Sequence, residues 1–292
     1  MKKNLVLFLT AAWMLLVPAA AKSQSFNPFI LSGRADRLAT GDLSFLTPDL
    51  QAGSVDAALS YGRWLPGEMP YGALQASGFL ALRDGFGIRF DYRSNAFSAF
   101  EAFDGQGNSS GQVRPTEMRF LAGVSFRLNE HLFVDVNGKY LSAAVSALSL
   151  HAKAFAGDLA VSYANGGLTL GLKAADLGTK YDYGKTAWPL PARILAGGSY
   201  GMEVADGHSV TAGADLGYIF PKAYSSFTAT AGVQYAWKQL FFARAGYHHS
   251  SAIAPRFAAF GAGVLFHGVG LDGAWLTGPA GNAWTVTVKV CL

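Results

Sequence analysis

The last nine residues, Trp284 to Leu292, alternate with period two: Trp284, Val286, Val288, Val290 and Leu292 share one face, Thr285, Thr287, Lys289 and Cys291 the other. A strand with an unbroken apolar face and a polar one has lipid on one side and water on the other, as in a transmembrane β-barrel. The N-terminus agrees. Lys2 and Lys3 precede an apolar run from Leu5 to Val17, and Pro18 to Ser23 is a small-residue exit suited to cleavage after Ala21 or Ser23. Residues 1–23 therefore read as a cleaved signal peptide, 24–53 as a periplasmic or lumen-plugging segment, and 54–292 as the barrel. The leader has no cysteine to carry a lipid, which argues against a lipoprotein.

Walking back from the C-terminus, strand-like runs occur at 269–276, 257–266, 240–249, 227–237, 208–219, 192–203, 168–178, 152–163, 132–146, 116–128, 86–103, 70–82 and 54–64. With the last strand the total is fourteen, and an even number puts both termini on the periplasmic side. The connections then sort by length. Arg83 to Gly85, Asn129 to His131, Ala164 to Gly167, Ala205 to Gly207, Lys238-Gln239 and His267-Gly268 are short periplasmic turns. The longer stretches 95–115, 179–191, 220–226 and 250–256 are extracellular. The fold class predicted is an all-β, antiparallel, fourteen-stranded barrel.

Charge placement follows the same parity. Phe86, Ile88, Phe90 and Tyr92 oppose Arg89, Asp91 and Arg93; Leu132, Val134, Val136 and Tyr140 oppose Asp135, Asn137 and Lys139. A charge facing lipid at mid-bilayer costs about 2 to 4 kcal/mol, so a barrel requires this segregation. Arg89, Asp91, Arg93, Asp135, Lys139, Lys173, Asp215, Arg244 and Asp272 accordingly form a lumenal charge network, read first as a structural lattice. Trp64, Tyr71, Trp188, Tyr218, Trp237, Trp275 and Trp284, near strand ends, suit interfacial girdles.

Composition excludes several functions. Hydrophobic residues make up 51% of the chain and charged ones 14%, with neither amphipathic helices nor long buried runs after the leader. Cleavage after Ser23 removes three of the 23 basic side chains, leaving 20 against 19 acidic ones, which gives no case for nucleic acid. The single cysteine, Cys291, forms no intramolecular disulfide. The adjacent pair His248-His249 points to opposite faces of a strand, so no metal site is expected, and no G-x-S-x-G elbow suggests a nucleophile. The reading is of a protein without cofactor or enzymatic site.

Several blocks resemble the PorV/PorQ family, FadL-like outer-membrane barrels of the type IX secretion system. FARAGYHHSSAIAPRFAAFGAGVLFHGVGLDGAWL (242–276) is similar to the family's R-A-G-Y strand followed by paired G-x-G and D-x-x-[YW] strands. PTEMRFLAGVSFRLNEHLFVDVNGKYLSA (115–143), DLGTKYDYGKTAWPLPARILAGGSYG (176–201) and YGRWLPG (61–67) resemble its P-x-E-F, Y-G…L-P and P-W-L segments. In residues 34–54 the family's N-P-A motif is absent.

What the resemblance implies is an accessory of protein export in the outer membrane of a Gram-negative bacterium. Its expected partners are translocon or attachment-complex subunits, cargo C-terminal signal domains and outer-membrane lipid. Trp64, Leu65, Pro66, Tyr183, Trp188 and Pro189 would form its docking rim. The alternative is a FadL-like channel for small hydrophobic molecules. That reading needs an apolar interior, whereas the inward residues read as charge, Gly and Thr. A lipid-A-modifying enzyme is a third possibility, for which no Ser-His pair can be nominated.

Overall fold

The computed structural model describes residues 30–44, 50–66, 70–103, 109–145, 150–182, 187–221, 225–251, 256–279 and 281–292. The signal-peptide expectation for 1–23 lies outside them.

Among the described residues, one helical turn, α1 (Ala35–Leu38), precedes eighteen strands: β1 (Val55–Pro66), β2 (Tyr71–Arg83), β3 (Phe86–Phe97), β4 (Phe100–Phe103), β5 (Ser109–Val113), β6 (Pro115–Arg127), β7 (Leu132–Val145), β8 (Leu150–Asn165), β9 (Leu168–Gly178), β10 (Lys180–Asp182), β11 (Ala187–Pro189), β12 (Arg193–Ala205), β13 (His208–Ile219), β14 (Ser226–Trp237), β15 (Phe241–Ser250), β16 (Phe257–Phe266), β17 (Val269–Gly278) and β18 (Gly281–Cys291). Fourteen of these close into one antiparallel barrel, sealed where β1 pairs with β18 from Asp56↔Cys291 to Pro66↔Gly281. The other four form two small hairpins, β4–β5 and β10–β11, in the longer connections. The stretch 86–103, read as one strand, thus divides: β3 leaves the wall at Phe97, and Phe100 starts the first hairpin.

The wall obeys the parity of the sequence. Leu59, Phe90, Val136, Leu172, Leu216, Phe260, Leu271 and Val288 are half exposed on the outer face, which suits a hydrocarbon environment. Short turns gather at one end, the periplasmic end in barrels of this class. In two of them non-glycine residues take up positive φ, His267 before Gly268 and both Lys238 and Gln239, because tight turns between twisted antiparallel strands need that conformation.

One irregularity places charge. Between Gly157↔Leu177 and Leu159↔Ala174 the ladder shifts, so β9 carries an extra residue, and Asp176 sits at φ 58°. Simple alternation from Lys173 would turn Asp176 toward lipid. The bulge turns it inward, where its N–H donates to Asp158 Oδ1 at 2.9 Å.

Candidate functional site

The lumen divides into an apolar outer part, a charged inner part and the segment 30–44 between them. A single hydrogen-bonded row running across nine strands explains the division. In register it reads Gly213, Gly232, Gly246, Ala259, Leu276, Ala283, Trp64, Tyr71, Phe97. One arc of the wall therefore has almost no side chain and the opposite arc has large aromatic ones.

The 30–44 segment lies against the small-residue arc. A Cβ on Gly246 would collide with the Thr40 carbonyl carbon and the Gly41 nitrogen, and one on Gly232 with the Thr40 carbonyl. Glycine is needed here for close backbone approach. Polar contacts fix the rest of the segment. Ala35 N–H donates to Thr287 Oγ1 (2.8 Å), Thr285 Oγ1 donates to Gly33 O (2.9 Å), and Ser44 N–H donates to Asp215 Oδ2 (2.6 Å). Arg34 pairs with Asp36 at 2.8 Å and with Asp56 of β1, while Lys289 of β18 reaches Asp36 at 3.6 Å and Asp272 at 2.8 Å. Burial alone would raise the Asp36 carboxyl, but the Arg34 guanidinium holds it well below the usual carboxylate range. Asp42 is pushed the other way by burial, only partly offset by the Ser32 N–H and Arg37.

Outward of this segment the wall is aromatic. Trp64 stacks on Tyr71 with centroids 6.0 Å apart and planes 5° from parallel; Phe257 meets Trp64 edge-on at 6.3 Å; Tyr71 packs on Phe97 at 5.1 Å. Ile219, Leu276, Ala259 and Ala283 complete the cluster, with Leu31, Ala35 and Leu38 as its floor. His248 faces this interior, stacked on Phe257 at 5.4 Å.

Inward of the segment a cavity of about 500 Å³ opens between Ser54, Asp56 and Leu292 on one side and Lys139, Asp158 and Lys173 on the other. The nominated charges lie here or beside it. Arg89 pairs with Asp135 at 2.8 Å, and Asp91 accepts from Arg119 at 2.6 Å and from Gln75. Arg93 bonds Asn95 Oδ1 (3.1 Å) and Leu31 O (2.5 Å). Lys139 lies between Asp158 (2.7 Å) and Asp176 (2.6 Å), and Arg244 pairs with Asp272 at 2.5 Å. Lys173 lines the cavity without belonging to these pairs, and Cys291 lines it near Asp56.

The sequence reading missed Arg119, Asp158, Asp176, Arg193, Lys289 and the aromatic wall. Trp64 is predicted from the sequence to hold a rim or girdle position. It is 6% exposed and faces inward. The signal was in the parity: Ser60, Gly62 and Trp64 alternate against Leu59 and Tyr61, which face out. Tyr71, at 1% exposure, likewise turns inward. Of the remaining rim candidates, Trp188 is half exposed on β11 and Pro189 partly buried beside it. Leu65 and Pro66 end β1, and Tyr183 lies outside the described residues.

No protein-family model matches the sequence, and no curated protein matches it significantly. Solved structures do. A monoaromatic hydrocarbon channel, CymD, is similar over 91% of this chain and 98% of its own, at 13% identity and TM-score 0.58. The toluene transporter TodX of Pseudomonas putida is similar over 92% and 94%, at 14% identity and TM-score 0.56. At these identities the likeness establishes the fold, a FadL-like fourteen-stranded barrel of outer-membrane type.

These neighbours overturn the export-accessory expectation: they support the FadL-like alternative and give no support to a PorV/PorQ assignment. The reason lies in what the resembling blocks encode. ARAG in β15 supplies the glycine berth of the 30–44 segment, and YGRW in β1 supplies the inward Trp64. Both meet requirements of this barrel's own interior.

Proposed function

We propose that this protein is an outer-membrane channel for small apolar molecules, admitted through the aromatic outer part of the lumen. The observation that carries the proposal is the inward Trp64–Tyr71–Phe97 row with Phe257 against it, an aromatic surface inside a barrel whose inward part is lined by charged side chains. These rings touch one another at centroid distances of 5.1 to 6.3 Å, and once parted they present edges and faces to a planar guest of similar size. The toluene and monoaromatic hydrocarbon specificities of TodX and CymD make a single aromatic ring the first ligand class to test.

The 30–44 segment closes the route. A permeant must shift the rings, which are almost fully buried against one another, and then pass α1 to reach the polar cavity. Toluene uptake by cells lacking other hydrocarbon channels, with and without this protein, tests the proposal. Expression should raise the uptake rate, and Trp64→Ala with Phe257→Ala should lower it by roughly two- to tenfold per ring. Uptake no faster than in cells without the protein would overturn it.

A further inference from the structure

The outer surface carries a feature that the channel does not use. Among described barrel strands, the lipid-facing positions of the outer half bear four charged or histidine side chains: Arg63, His151, Lys153 and His249. Every one is basic. Two share β8, one position apart on the same face and so about 7 Å from each other. Their partners across the ladder are small, Ser142 opposite Lys153 and Ala144 opposite His151.

Below them the β7–β8 surface changes in order. Leu159, Val161 and Val136 form an exposed aliphatic band. Tyr140 and Phe155, with centroids 5.3 Å apart, form the next step. The basic pair follows. Aliphatic, aromatic, then cationic is the succession met on leaving hydrocarbon for a headgroup layer. We infer that Lys153 and His151 bind a phosphate of the anionic glycolipid that forms the outer leaflet. The inference rests on the outer-membrane placement proposed above and is independent of what the lumen carries.

Native mass spectrometry of the detergent-solubilised full chain tests it, with purified bisphosphorylated lipid A and the same lipid after phosphatase treatment as probes. The intact protein should retain the phosphorylated form at least about fivefold better. That preference should disappear in the His151→Gln, Lys153→Gln double variant and survive in Lys153→Arg. Equal retention of both lipids, or an undiminished preference in the double variant, overturns the site. Toluene uptake by the double variant should be unchanged, which separates failure of this site from failure of the channel reading.

Discussion

Replacing Lys139 by methionine is expected to destabilise the barrel by about 3 to 5 kcal/mol, because it strands two buried carboxylates without their shared cation. The Lys139 side chain is 5% exposed, Asp158 2% and Asp176 9%, so water of the neighbouring cavity reaches little of either carboxylate and replaces the lost ammonium poorly. Arg193 reaches Asp176 only at 3.4 Å and does not serve Asp158. The measurement is the urea midpoint for unfolding from detergent or liposomes. Neutralising the acids in the same background, Lys139→Met with Asp158→Asn and Asp176→Asn, should recover most of the loss. A midpoint for the single variant equal to that of the parent would show that the ion group is not buried as described.

Gly246→Val is expected to expel the 30–44 segment from its berth while leaving the wall intact. The new Cβ would meet backbone atoms of Thr40 and Gly41, which cannot rotate away as a side chain can. Overpacking of this kind costs about 1 to 3 kcal/mol, which favours the displaced segment by roughly five- to 150-fold. Leakage of a small polar solute from liposomes should rise accordingly, and the heat-dependent shift in gel mobility should show a folded barrel. Gly273→Val, at a lipid-facing position whose Cβ would meet nothing within 4 Å, is the control expected to leave leakage unchanged. Equal leakage from both variants would sink the idea that this close approach seals the lumen.

Much of the architecture was legible in the sequence, for a physical reason. Lipid penalises every outward charge, so parity had to be written almost without error into strands such as β3, β7, β17 and β18, and strand number and turns followed from it. Legibility failed where parity is interrupted or uncounted. The bulge at Asp176 reverses the face of a charge, and only the cost of leaving that charge in lipid hints at it. Trp64 and Tyr71 lie at strand ends, where an aromatic ring suits a girdle as readily as a lumen. The row that joins them to Phe97, and opposes them to Gly213, Gly232 and Gly246, exists only in the cross-strand register. No single segment contains it.

The contacts around α1 also bear on how the barrel is closed. Gly33, Ala35 and Asp36, near the beginning of the described chain, supply partners to Thr285, Thr287 and Lys289 of the final strand, and Arg34 ties the same point to Asp56 of the first. Ser60 and Thr287, whose hydroxyls meet at 2.8 Å, bridge β1 and β18 at that level. A chain shortened ahead of β1 would still present fourteen strands, yet the inward face of its last strand would lack these partners. The 30–44 segment therefore braces, from inside, the place where the cylinder is joined.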